Sequence, residues 1–173
     1  TLIERMRMSK DGIIINEGSD AGTDFRVESD SNTHMLFVDS SANAIGINNS
    51  SPSDALDVTG TVSASRGIGA TLTDTTNTGN VTLDFSTYQN FVLTLTGNVT
   101  LVNPTTEAVG QSGFIVLIQD STGGRTLSLG TDYETAAGAG ITLSSTASTT
   151  DIVPYIVAAS GRILLGAPQL AFS

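Results

Sequence analysis

The sequence predicts an all-β protein: a short-strand stalk segment followed by a compact antiparallel β-sandwich or jelly-roll-like module. Three observations lead there. Apolar residues come in short alternating runs with the two-residue period of strands. Clusters of Gly, Asn, Asp, Ser and Thr separate those runs roughly every 9 to 12 residues, the spacing of short strands joined by tight turns. Helical periodicity is nearly absent: the best stretch, Glu134–Gly140, is an Ala/Gly patch with no apolar stripe and reads as a loop.

Taken in order, Leu2–Met8 alternates as a strand, and Asp11-Gly12 turns the chain into Ile13–Ile15. Strands follow at Phe25–Glu28, Met35–Val38, Ala44–Ile47 and Leu56–Val58, each bounded by turn residues. Ile13–Ile15 and Met35–Val38 are apolar on both faces, whereas a strand covered on one side alternates. A neighbouring copy of the chain is the economical cover for the second face. Residues 61–80 are rich in Thr, Ser and Gly and read as an extended connector between residues 1–60 and a C-terminal module at 81–173. Within that module Val81, Leu83 and Phe85 share one face, as do Phe91, Leu93 and Leu95. Gly97-Asn98 has the chemistry of a two-residue hairpin. Phe114–Ile118 is a continuous apolar run and predicts a fully buried strand, and Gly123-Gly124 turns into Thr126–Leu129. Ile141–Leu143, Ile152–Val157 and Arg162–Leu165 complete about eight strands, the number expected of a small sandwich.

Composition restricts the function. The 173 residues carry 17 acidic and 7 basic side chains, a net charge of −10, with Lys10 the only lysine. Nucleic acid needs clustered cations, which are absent beyond Arg5, Arg7 and Lys10, so it is excluded as a partner. The same charge repels an anionic membrane surface, and no run approaches the roughly 18 apolar residues of a spanning helix. Without cysteine there are no disulfides and no thiol chemistry. Opening on Thr1-Leu2-Ile3 rather than Met, the sequence reads as a processed product or part of a longer polypeptide.

Residues with chemical potential each have a plainer explanation. His34 is the only histidine, and a Ser-His-Asp hydrolase would need a nucleophile elbow; G-x-S-x-G does not occur. His34 is expected to flank a turn. Asp20, Asp24, Asp30 and Asp39 form the densest acidic zone, but calcium-loop spacing is missing and Asp is an ordinary turn residue. Glu107, Asp132 and Glu134 are the residues that would have to pair as glycosidase acids. Platforms for sugar rings are scarce, with Trp absent and only Tyr88, Tyr133 and Tyr155 as tyrosines. Gly110, Gly113, Gly123 and Gly124 are turn glycines, since neither pair is followed by the Lys of a phosphate loop. The sequons at Asn48, Asn49, Asn80 and Asn98 are what a Thr/Ser-rich chain contains by chance, and Asp120 and Arg125 flank one turn and are placed to pair across it. The expectation is no catalytic residue, no cofactor and no metal.

Two stretches carry a resemblance. Glu4-Arg5-Met6-Arg7-Met8, Ala44-Ile45-Gly46-Ile47, Ser51-Pro52 and Leu56-Asp57-Val58-Thr59-Gly60 resemble the phage tail-fibre pattern E-R-M-R-I, V-G-I-G-T-x-x-P, L-x-V-x-G. Ile45 and Asn48 depart from it, which alters the glycine-rich turn. Leu83-Asp84-Phe85, Leu93 to Thr100, Gly110 to Gly113 and Gln119 to Leu127 resemble C-terminal modules of phage fibre and appendage proteins. The resemblance implies a homotrimeric, virion-borne structural protein, assembled in the host cytoplasm, that projects from the particle and contacts other virion proteins. Contact with a host-surface receptor or polysaccharide would fall on polar loops, Asn103–Gln111 or Thr131–Gly140. A capsid decoration (head fibre) protein is the alternative reading, and a polysaccharide-degrading tail enzyme a more distant one.

Overall fold

A computed structural model describes residues 6–10, 12–15 and 21–173. The expected all-β class holds: fourteen strands are accompanied, among the described residues, by a single 3₁₀ turn at Ala136–Gly138. That turn lies in the Ala/Gly patch expected to be a loop. The chain divides into two units, Thr1–Arg66 and Gly67–Ser173.

The first unit holds six short strands. β1 (Met6–Ser9) and β2 (Gly12–Ile15) form a hairpin with Ser9 opposite Gly12, at the place expected for a turn; Asp11 itself, like Leu2–Arg5 of the expected first strand, lies outside the described residues. β3 (Phe25–Val27), β4 (Leu36–Asp39), β5 (Ala44–Ile47) and β6 (Leu56–Val58) form a second sheet in that order. β3, β4 and β5 pair antiparallel, and β6 joins β5 in parallel. Asp residues make the turns. Asp24 Oδ1 accepts from the Ser40 amide and hydroxyl, and Asp39 Oδ1 accepts from Ser41 and Ala42.

The second unit contains the main core. β7 (Thr71–Thr82), β8 (Asn90–Val102), β9 (Ser112–Gln119) and β10 (Leu127–Leu129) all run in the same sense. Thr71 lies beside Asn90, Phe91 beside Ile115 and Val99 beside Leu127. The chain therefore returns alongside itself and winds as three stacked turns. β12 (Thr150–Ala159) crosses antiparallel to β9 and is flanked by β13 (Arg162–Leu165) and β14 (Gln169–Phe172). β11 (Tyr133–Glu134) pairs in parallel with β13. Leu83, Phe85, Phe91, Leu93, Leu95, Leu101, Ile115, Leu117, Val153, Tyr155 and Ile163 fill the interior. Burying one large side chain of this kind stabilises by about 1.5–3 kcal/mol.

Five expectations change here. First, the module is mixed rather than wholly antiparallel. Parallel neighbours need a crossover, and residues 83–89 and 103–111 supply it because the strands bend partway and bring their ends close. Second, Gly97-Asn98 is a corner within β8, not a hairpin. Neither residue has the positive φ of a primed turn. A β-carbon on Gly97 would strike the Thr78 hydroxyl, and Asn98 Oδ1 accepts from the Thr126 amide, so the corners of successive turns stack. Third, β7 occupies much of the expected connector 61–80; threonine suits a pleated, half-buried strand even where apolar residues are few. Fourth, Phe114–Ile118 is buried on one face only. Ile115 and Leu117 point inward, while Phe114 is 52 % exposed. Fifth, Ile141–Leu143 is not a strand; its apolar side chains pack on the core from a loop.

Candidate functional site

The two polar loops expected to face a receptor are joined at one end of the second unit. Asn103 makes the connection: its Nδ2 donates to Thr131 Oγ1 at 2.8 Å, and its Oδ1 accepts from the Asp132 amide at 3.1 Å. Gly110 caps its loop with a left-handed φ of 90°, where glycine is the favoured residue, and its amide donates to the Val157 carbonyl. Gln111 ties the loop inward, its Nε2 donating to the carbonyls of Phe85 and Tyr88.

All three carboxylates singled out as glycosidase candidates are anchored close to the β12–β13 turn. Glu107 Oε1 accepts from the Gly161 amide at 2.8 Å. Glu134 forms a two-point ion pair with Arg162, at 2.8 and 3.1 Å. The Asp132 carbonyl accepts from the Ile163 amide, and its carboxyl lies against Gly161. Each thus has a structural partner. Tyr133, between two of them in sequence, is buried, and its hydroxyl and Glu107 Oε2 have no hydrogen-bond partner among the described residues. Burial pushes the Tyr133 phenol well up, and the negative charges of Glu107 and Asp132 push it further. Tyr155 is raised to about 12 by burial, its hydroxyl donating to the Gln89 carbonyl at 2.6 Å.

Beside this cluster lies an open cavity of about 730 Å³. β10 forms one wall, with Leu127, Ser128 and Leu129; β11 and the loop through Thr135 to Ile141 form the other. Thr135 Oγ1 accepts from the Gly140 amide, and Ala137, Gly138 and Gly140 all take left-handed φ, which folds the loop back over the cavity. Ser128, Glu134 and Thr135 are the polar side chains among its lining residues, with Glu134 held by Arg162 and Thr135 by the Gly140 amide. Sequence reasoning found the loop but not the wall, because β10 reaches it only through parallel pairing with β8.

Several of the remaining candidates that are described have structural partners of their own. His34 packs edge-on against Phe37 at 5.0 Å, with Nδ1 2.8 Å from Thr33 Oγ1. Among Asp20, Asp24, Asp30 and Asp39, Asp20 lies outside the described residues, and no metal-holding group of three occurs among those that are described. Asn48 and Asn98 hold turns through their side chains. Asp120 and Arg125 do pair, at 2.7 Å. The Arg125 guanidinium is the main reason the Asp120 carboxyl lies below its ordinary range. Among the described residues, no helix is long and apolar enough to cross a membrane.

Residues 77–161 match the family model described as "Putative phage tail fibre C-terminal domain". That segment runs from the middle of β7 to the β12–β13 turn and includes the winding core and both polar loops. No curated protein and no solved structure matches the chain. The family is structural rather than enzymatic and is associated with the virion. Over residues 77–161 the chain is thus similar to the C-terminal domain of phage tail fibres.

Proposed function

We propose that this structural tail-appendage protein works as a homotrimer and touches the host surface with the loop end of its C-terminal module. The observation that carries the reading is the joining of loops 103–111 and 131–140 by Asn103 beside an open cavity lined in part by Ser128, Glu134 and Thr135. A winding β-scaffold that holds two polar loops together presents a fixed surface to a ligand at little entropic cost. The ligand class is a hydroxyl-rich surface polysaccharide. The multi-copy assembly is supported by strands that are apolar on both faces although one chain covers only one. β9 and β12 carry Phe114, Val116, Ile118, Ile152 and Ile156 outward as well as a buried inner row.

The test is adsorption of fluorescently labelled protein to host cells, with wild type against Ala139→Trp, which fills the cavity from an exposed position. Cell binding should drop at least tenfold with the melting temperature unchanged. Undiminished binding would defeat the loop assignment. Immunogold labelling of virions should mark the tail; label on the capsid shell would favour head decoration. Shortening of capsular polysaccharide by the purified protein would reverse the non-enzymatic reading.

A further inference from the structure

The β3–β6 sheet of the first unit carries its apolar residues on the side its own loops leave open. Register places Phe25, Val38, Ile45 and Leu56 in one row across the four strands, and Val27, Leu36, Ile47 and Val58 in a second row on the same face. All eight are apolar. Leu56 is 61 % exposed, and Phe25, Val27 and Ile45 are exposed as well. The opposite face holds the row Arg26, Phe37, Gly46 and Asp57, with Asp39 beside Ala44. That face is the one the chain covers. His34 packs on Phe37, and the Asn49 carbonyl sits so close over Gly46 that any β-carbon there would collide with it. Phe37 and Ala44, on that face, are accordingly buried. Ile13 and Ile15 of β2 line a cleft with Phe25 and Val38.

We infer that this open face is a self-association surface, packed in the assembled protein against the same face of further copies of the chain. The inference rests on the multi-copy reading above and gives it a location. A sheet is stable when its apolar face meets a second layer, and strands of three or four residues cannot form a lasting sheet without one. A second layer over this face removes its two apolar rows from water, and further copies of the same chain can supply it in equal number. Charge points the same way. Chains of net charge −10 repel one another over most of their surface. On this sheet Arg26, Asp39 and Asp57 all lie on the opposite face, so identical copies meet here without burying a like charge.

The test uses the full chain, whose lack of cysteine makes single-cysteine variants unambiguous. Ile45→Cys places a thiol on the face, and Ser51→Cys places one on an exposed loop as the control. Light scattering should give a multiple of 17.8 kDa for both, and maleimide should label Ile45→Cys at least tenfold more slowly than Ser51→Cys. A multi-copy mass with equal labelling rates would overturn this interface while leaving the multi-copy reading intact. A mass of 17.8 kDa at micromolar concentration would overturn both. Leu56→Glu provides a check independent of thiol chemistry: the assembled mass should fall while circular dichroism retains the β signal of the second unit. An unchanged mass would count against the face.

Discussion

At the scale of single residues, much of the polar chemistry in this chain serves turns and seams. Asp151 is 1 % exposed, and it accepts from the Ser144 amide, the Ser144 hydroxyl and the Ala171 amide. It thereby fastens both the loop before β12 and the final strand. Gln119 closes the Asp120–Arg125 loop by bonding both the amide and the carbonyl of Arg125. Asp84 makes the turn between β7 and β8, its Oδ1 accepting from Ser86 Oγ at 2.6 Å and from the Ser86 and Thr87 amides. The Ser86 hydroxyl, then Thr87, lowers the Asp84 carboxyl to about 2. Asp39, lowered chiefly by the Ser41 hydroxyl, and Asp57, lowered chiefly by the Ser53 amide, lie below their ordinary 3.8 too. A depressed folded-state value means that stabilisation is fully present above about 3.8 and is lost as pH falls toward 2. Melting temperatures taken from pH 5 to pH 2 should therefore fall through that window, and less steeply in Asp84→Asn. Parallel curves for variant and wild type would show that Asp84 contributes nothing to the acid dependence.

At the scale of elements, the decisive feature is the corner at Gly97-Asn98. The dipeptide has hairpin chemistry, but a hairpin requires positive φ, and here the chain bends and continues. What sets the outcome is a neighbour distant in sequence. Thr78 of the preceding turn occupies the space a side chain at position 97 would need, and Thr126 of the following turn donates to Asn98. Gly97→Ala should destabilise by about 1–3 kcal/mol through overpacking. Thr78→Ala should recover part of that loss, and the coupling is measurable by a double-mutant cycle in urea. Additive effects would mean that the corners do not stack. β7 shows the same dependence on partners. Its Thr-rich sequence resembles a linker until β8 lies beside it, and Asn77, buried at the break in register, donates to the Asp74 and Thr94 carbonyls.

At the scale of the whole molecule, the two units differ in how much of themselves they bury. The second has a continuous interior built from β8, β9, β12 and β13, whereas the first has a sheet with one face open. Residues 67–173 expressed alone should consequently melt in a single cooperative transition, followed by circular dichroism. A broad, non-cooperative loss of signal would mean that the core depends on residues before Gly67. This unit contains the matched tail-fibre segment and both loops proposed for host contact, so its independence would let the proposed adhesion be tested apart from assembly.

The sequence alone determined the β class, the positions of β4, β5, β6 and β9, the turn role of Asp120 with Arg125, and the tail-fibre resemblance. These depend on local period, turn chemistry and residue order, which a chain carries without knowing its partners. The tertiary structure decided what depends on distant neighbours: the parallel winding, the corner at Gly97, the cavity wall supplied by β10, and the side of the β3–β6 sheet left uncovered. A two-faced apolar strand such as Leu36–Val38 reveals in sequence only that two covers are needed. The fold shows that His34 helps cover Phe37 on one side, while Leu36 and Val38 lie on the open side with Ile45 and Leu56.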